Sequence, residues 1–284
     1  MPSFRISDLK LDDIVESIKT VLLSFGRTDF EIIPEEEKTW IYFINNDIAK
    51  FHIVKLEKKI IGVGGLYLFN QIGSVGHMGV LPDYRGQGIG TAIFNSLMDT
   101  ALKSKIKTVI LFASNLGEPI YKNYGFRGTY SASRYRFLNS LPKTQTKEDN
   151  INIINYVPNW VLKLDKLTMG YDRSDYFKAR ISLGAKLLIS ENDGYALLSN
   201  ERFNMRLGPL ISKSPEIAWQ IIKKGIGLGV NRMIIPDHEL TQYLINRIAY
   251  VTEDKGPPNL RMVYGEEIKE NLNNIYSFGT FAKG

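Results

Sequence analysis

Apolar residues recur along this chain in two rhythms, and the change from one to the other marks out its elements. From about Gly88 to Lys103 the spacing is helical: Ile89, Ile93, Leu97 and Ala101 form one ridge, with Phe94, Met98 and Leu102 beside it. Thr108–Ala113 is a continuous apolar run, as in a strand covered on both faces. A strand on either side of that helix predicts a parallel pair joined by a right-handed crossover. Upstream, a strand is expected near Phe4–Ser7 and a helix from Leu11-Asp12-Asp13 to about Leu23. A second helix is expected from Pro34, with Glu35, Glu36 and Glu37 where the helix dipole favours acids. Strands at about 50–56 and 60–69 flank the turn Glu57-Lys58-Lys59, and a third is expected at 75–81. A short helix, Glu118–Tyr124, should end at Gly125 in a left-handed cap. The first half therefore reads as α/β, an α+β arrangement on a mixed sheet.

The second half repeats this order. From Trp160 onward the pattern gives a strand-turn-strand at 186–199, a strand at 203–207 and a helix from Pro215. A strand at 233–236, another helix and a strand near 260–264 follow. Between the halves, Ser140–Asn152 is polar and has no period. The expected organisation is a first domain at 1–140, a linker at 141–158 and a second domain at 159–284.

Composition narrows the chemistry. A chain of 284 residues, 44% hydrophobic and 23% charged, suits two globular domains. No apolar run approaches the roughly 18 residues of a membrane span, and Met1–Arg5 lacks a secretory signal, so a cytoplasmic protein without a membrane partner is expected. The absence of cysteine excludes disulfides, thiolate ligands and a cysteine nucleophile. His52, His77 and His238 are too scattered to suggest a metal site. A net charge of +6 favours anionic partners but does not separate nucleic acid from a phosphorylated cofactor. No helix-turn-helix, RRM or zinc signature accompanies the charge, so no nucleic-acid partner is expected.

The loop before the long helix is more specific. It reads Val80-Leu81-Pro82-Asp83-Tyr84-Arg85-Gly86-Gln87-Gly88-Ile89-Gly90-Thr91. Alternate glycines strip side chains from a helix N-terminus, where backbone N–H groups and the positive dipole end suit a pyrophosphate. Arg85 adds a charge suited to phosphate oxygens. The dinucleotide fingerprint fails because Thr91 fills its third glycine position, and the P-loop pattern is absent.

The loop resembles the acetyl-CoA loop of the GNAT N-acetyltransferase superfamily, Arg/Gln-x-x-Gly-x-Gly/Ala after a strand ending in Val-x-Pro. Arg85, Gly88 and Gly90 fill that signature. The likeness continues through Ala113-Ser114-Asn115 to Tyr121-Lys122-Asn123-Tyr124-Gly125-Phe126, covering about Val75–Phe126. It implies an acyltransferase that moves an acetyl group from acetyl-CoA to a primary amine by direct attack in a ternary complex. It also implies roles for particular residues: the backbone of Met78, Gly79 and Val80 holds the pantetheine and polarises the acetyl carbonyl. Gly86, Gln87, Gly88, Ile89, Gly90 and Thr91 hold the pyrophosphate. Asn115 adds to the cofactor site, and Tyr121 both contacts the cofactor and protonates the departing thiolate. A protonated phenol suits that task, and Gly76 and Gly79 suit a bulge or a close backbone approach.

No glutamate lies between Gly73 and Leu81, so the general base is either His77, the one titratable side chain on that strand, or water. In the second half, Arg206-Leu207-Gly208-Pro209 and Ser214-Pro215-Glu216 stand where the glycine loop stood, without its Gly-x-Gly. Matching Ile248-Ala249-Tyr250 to Tyr124-Gly125-Phe126 puts Ile245 in place of Tyr121. Gly170-Tyr171-Asp172-Arg173 and Arg261-Met262-Val263-Tyr264-Gly265 resemble degenerate C-terminal GNAT domains. A tandem of two GNAT-like domains, the second degenerate, is the expectation, and Arg173, Arg206 and Arg261 are candidates to bind an acidic acceptor. Small-molecule and protein amines both stay open as acceptors, as does an acyl-CoA sensor without turnover.

Overall fold

The structure is a computed structural model that describes residues 4–28, 34–137, 150–201, 204–248 and 252–282. The chain divides into two compact units: Met1–Leu111 with Tyr264–Glu266, and Phe112–Val263 with Glu267–Gly284.

The first unit runs β1 (Arg5–Asp8), α1 (Ile14–Ser24), α2 (Pro34–Asn45), β2 (Ala49–Leu56), β3 (Lys59–Phe69), β4 (Ile72–Val80), α3 (Ile89–Lys103) and β5, which begins at Thr108 and ends at Ala113. Its strands lie in the order β1-β2-β3-β4-β5. All pairs are antiparallel except β4 with β5, as a crossover through α3 requires. One face of α1 buries Ile14, Ile18, Val21 and Leu22. Polar ties fix its height on the sheet: Thr20 Oγ1 donates to the Ile60 carbonyl at 3.0 Å, and the Ile60 N–H donates to Glu16 Oε1 at 2.8 Å. The ridges of α3 bury Ile93, Phe94, Leu97 and Met98, whereas Leu102 is exposed. Ile93 and Leu97 reach the backbone of β3 because Gly64 has no side chain to hold them off.

The second unit contains α4 (Glu118–Tyr124), β6 (Arg127–Phe137), β7 (Asn152–Ile154), α5 (Asn159–Met169), α6 (Ser174–Ser182), β8 (Lys186–Ser190), β9 (Gly194–Glu201), β10 (Asn204–Ser212), α7 (Pro215–Gly227), β11 (Val230–Pro236), α8 (Glu239–Ile248), β12 (Thr252–Lys255), β13, which begins at Asn259, and β14 (Ile275–Ser277). The strand order is β7-β8-β9-β10-β11-β6-β13, with β12 also on β6 and β14 also on β10. Among the pairings described within this unit, only β10 with β11 is parallel, joined by the crossover helix α7. Ala218, Ile221 and Ile222 of α7 pack with Leu207, Leu210, Met233, Ile235 and Leu244 in one apolar core.

Two buried ion pairs lie in this unit. Arg173, 1% exposed, donates to Asp165 through Nε and Nη2, and the Tyr195 hydroxyl also donates to Asp165. Arg261, 0% exposed, donates to Glu270, which also accepts from the Tyr130 hydroxyl at 2.7 Å. Paired and hydrogen-bonded in this way, the charges are tolerable inside; deleting one partner would strand the other.

The observed elements extend several expected ones. The third strand starts at Ile72 and the strand expected at 233–236 starts at Val230. The sequence reading did not pick out β6, β7, α5, α6, β12 and β14. Of the expected linker at 141–158, residues 141–149 lie outside the described residues and Asn152–Ile154 form β7; Phe203, Ala249 and Tyr250 also lie outside them.

Candidate functional site

The site is built around the end of β4. That strand pairs with β5 only over Ile72–Val75, opposite Thr108–Leu111, and then runs on to Val80. Against β3 the register steps from Gly65 opposite Gly76 to Val63 opposite Gly79, so His77 and Met78 share Gly64 as their counterpart. This is a β-bulge, and within it His77 takes a positive φ of 54°. The bulge separates two neighbours that an even strand would also separate, but it re-aims them. Met78 Sδ lies against Gly64 on the α3 face. His77 turns into an aromatic nest, with the Tyr67 hydroxyl 2.9 Å from Nδ1 and the Trp40 ring centroid 5.2 Å away.

Beyond β4 the chain makes a short 3-10 turn at Pro82–Tyr84, extends through Arg85, and takes positive φ at Gly86 (73°) and Gly88 (79°) before α3 begins at Ile89. These angles strain any residue with a Cβ. Both glycines are exposed, and a Cβ on either would meet no atom within 4 Å, so the space they leave is open. Helix α3 has no side-chain N-cap and no acidic residue in its first turn. Its first helical bond runs from the Ala92 N–H to the Gly88 carbonyl at 2.9 Å. The N–H groups of Ile89, Gly90 and Thr91 thus precede the hydrogen-bonded turn, at the positive end of a 15-residue helix. A diphosphate meets the needs of such a terminus, and the residues present fit one.

The end of α1 closes on this strand. A Cβ on Gly79 would lie 2.2 Å from Ser24 Oγ, so only glycine admits the contact. Arg85 Nε donates to the Val80 carbonyl at 3.2 Å, and Nη2 donates to the Ser24 carbonyl. Gln87 reaches only the Asp83 carbonyl, at 3.4 Å. The sequence reading named neither Ser24 nor Tyr67. For Ser24 a signal existed: Ser17, Thr20 and Ser24 recur at helical spacing on an otherwise apolar face.

In the second unit, Tyr121 is 6% exposed, and burial pushes its phenol well above the ordinary tyrosine range. Gly117 makes room for its ring, since a Cβ there would lie 2.9 Å from Tyr121 Cε2. Asn115 is exposed in the turn that leads to α4. Tyr124 is half-buried beside Phe126.

The same unit has a counterpart of the glycine loop, and it is closed. Only Lys213 and Ser214 connect β10 to α7, and Ser214 Oγ caps the helix by accepting from the Ile217 N–H at 3.3 Å. Glu216 adds a negative charge in the first turn. The edge of β10 is also filled, because Leu210 and Ile211 pair with β14. Ser277 Oγ donates to the Leu207 carbonyl at 3.1 Å, and the Phe278 N–H donates to the Ile234 carbonyl of β11 at 2.8 Å. Of the three arginines considered for an acidic acceptor, Arg173 and Arg261 are spent on internal carboxylates, and Arg206 Nη1 donates to the Gly279 carbonyl at 2.8 Å.

Among the described residues, no group of acidic or histidine side chains is placed to hold a metal, and no helix is long and apolar enough to cross a membrane.

Comparison with known proteins finds the same domain family in both halves. Acetyltransferase (GNAT) domain models match residues 47–128 and, separately, 161–277. The uncharacterized N-acetyltransferase YitH of Bacillus subtilis is 26% identical over 171 residues, 58% of this chain. The match spans 60% of the length of that curated relative. A candidate acetyltransferase of Pyrococcus horikoshii, 28% identical, aligns over 100% of this chain and 97% of its own with a TM-score of 0.87. A tandem GNAT protein from the clavulanic acid biosynthesis pathway shares the fold at 11% identity, with a TM-score of 0.64 over 93% of this chain and 98% of its own. With one GNAT domain matched in each half, the chain belongs to the GNAT acetyltransferase superfamily, as a tandem of two GNAT domains.

Proposed function

We propose that this protein is an N-acetyltransferase that moves the acetyl group of acetyl-CoA to a primary amine, with its chemistry in the N-terminal GNAT domain. The observation that carries the reading is the bare start of α3, where Gly86 and Gly88 hold a left-handed backbone in open space and no side chain caps the helix. Ser214 and Glu216 at the matching place in the second domain favour one cofactor site per chain.

Gly86–Thr91 would hold the pyrophosphate through backbone N–H groups. Met78, Gly79 and Val80, past the end of the β5 pairing, would offer backbone N–H groups to the pantetheine and the acetyl oxygen. When bound, acetyl-CoA supplies an activated thioester carbon. The amine nitrogen forms the new C–N bond as the C–S bond breaks. Tyr121, kept protonated by burial, gives its proton to the departing sulfur. The amine's proton leaves through His77 or water, and the Tyr67 hydroxyl holds the Nδ1 side of that imidazole. A small-molecule amine is the proposed acceptor class, with the cytoplasm as the place of action.

The test is thiol release from acetyl-CoA across a panel of small amines and lysine peptides, with wild type, Tyr121→Phe and Gly88→Glu in parallel. Amine-dependent release that falls in both variants is the expected result. Cofactor binding without release for any amine would replace transfer with acyl-CoA sensing.

A further inference from the structure

We propose that Arg85 is a positioning residue: it braces the glycine loop against β4 and α1 through hydrogen bonds, and its charge is not the group that holds the pyrophosphate. This rests on the reading of Gly86–Thr91 as the cofactor loop. At sequence level the arginine looks like a phosphate ligand; the geometry points elsewhere.

Two nitrogens of its guanidinium are turned away from the loop. Nε donates to the carbonyl of Val80, the last residue of β4, at 3.2 Å. Nη2 donates to the carbonyl of Ser24, the last residue of α1. That carbonyl belongs to the negative end of a helix and accepts a cation's hydrogen bond well. A guanidinium holds five N–H donors in one rigid plane, so it can donate in two separate directions at once. Ser24 is in turn pressed on Gly79, so α1, β4 and the loop meet at one three-way contact.

The loop needs such a tie. Gly86 and Gly88 contribute no side chain, and both sit in an exposed stretch with a backbone that relaxes readily when unrestrained. A brace at Arg85 fixes where the turn starts, and therefore where the N–H groups at the start of α3 point. The cost of disordering the loop then falls on cofactor affinity.

The deciding pair of variants is Arg85→Gln and Arg85→Met in the full chain. Neither carries charge and they are close in size. The glutamine Nε2, however, is as many bonds from Cα as the arginine Nε and can keep the Val80 hydrogen bond. Calorimetric titration with coenzyme A is expected to give a dissociation constant within about threefold of wild type for the Gln variant and about tenfold weaker for the Met variant. In steady state the Met variant should raise KM for acetyl-CoA while kcat at saturation stays within about twofold.

A Gln variant that binds no tighter than the Met variant overturns the proposal, because the Val80 hydrogen bond then contributes nothing to holding the loop. A loss above about tenfold in the Gln variant alone overturns it too, even if the Met variant fails to fold. So does a kcat that falls along with affinity, which would mark general damage to the fold. Failure of wild type to bind coenzyme A would instead refute the reading of the loop itself, and it is seen before any variant is made.

Discussion

Gly79 and Ser24 are in contact through a missing side chain: a Cβ on residue 79 would stand 2.2 Å from Ser24 Oγ, 3.0 Å from Ser24 Cβ and 3.5 Å from the Val21 Cα. The last turn of α1 therefore rests on the backbone of β4, at the strand segment that has left β5.

Gly79→Ala is expected to push α1 off the strand at a cost of about 1–3 kcal/mol, the range for overpacking a filled core. Ser24→Ala removes the nearest atom and should recover part of that loss. Urea unfolding of the two single variants and the double variant gives the coupling energy. Strictly additive costs would mean that the two residues do not meet as described.

Helix α3 departs from the usual charge rule, since its first turn has no acid whereas α2 has three and α7 has Glu216. A carboxylate there would favour the helix and repel an anion. Thr91→Glu, at an exposed position, is expected to leave the melting temperature unchanged or slightly raised while coenzyme A affinity falls more than about tenfold. Unchanged affinity would move the pyrophosphate away from this terminus.

Much of this site was legible because its chemistry is local. Arg85, Gly86 and Gly88 lie within four residues, and glycines in positive φ announce themselves in sequence. The crossover helix was equally plain, since two apolar ridges at helical spacing leave little choice. What sequence could not give were contacts between distant positions. The tie from Arg85 to Ser24 spans 61 residues, and it changes the arginine's role. In β6, arginines and serines are interleaved with aromatics, so Arg-Gly-Thr-Tyr-Ser-Ala-Ser-Arg-Tyr-Arg-Phe shows no strand signal until its partners β11 and β13 are known. Three-residue β14 is too short to carry any period, and its role as the filler of β10 depends wholly on tertiary pairing.

Tyr121→Phe should lower kcat by roughly 10²-fold or more with little change in cofactor affinity, as expected for a proton donor. Burial raises its phenol, so in wild type no loss of kcat from this group is expected as pH rises to about 10. The same shift sets a stability trend. Tyr276, pushed up to about 12, and the buried Tyr121 and Tyr195 stay protonated in the fold after their unfolded counterparts ionise near 10.0. The unfolded chain then binds fewer protons, so stability is full below pH about 10 and falls as pH rises through the folded values. Urea midpoints that decline above pH 10, with the 295 nm tyrosinate signal rising only on unfolding, are the expected outcome. Early ionisation of the native protein would contradict the burial.

On the proposed reading, the filled edge of β10 leaves one cofactor site per chain. In the second domain β14 occupies the strand edge that β4 leaves open past Val75, and a two-residue capped connection replaces the glycine loop. Coenzyme A is therefore expected to bind at one per chain by calorimetry, and Thr91→Glu should weaken that binding and uncover no second class of site. Gly208 guards the closure: a Cβ there would lie 2.3 Å from the Phe278 carbonyl oxygen, a backbone atom that cannot swing aside. Gly208→Ala should destabilise the fold by about 2–4 kcal/mol, with the backbone next to β14 displaced. If that variant instead gained a second coenzyme A per chain, β14 would be a displaceable cover on a competent site, and the second domain would no longer count as degenerate.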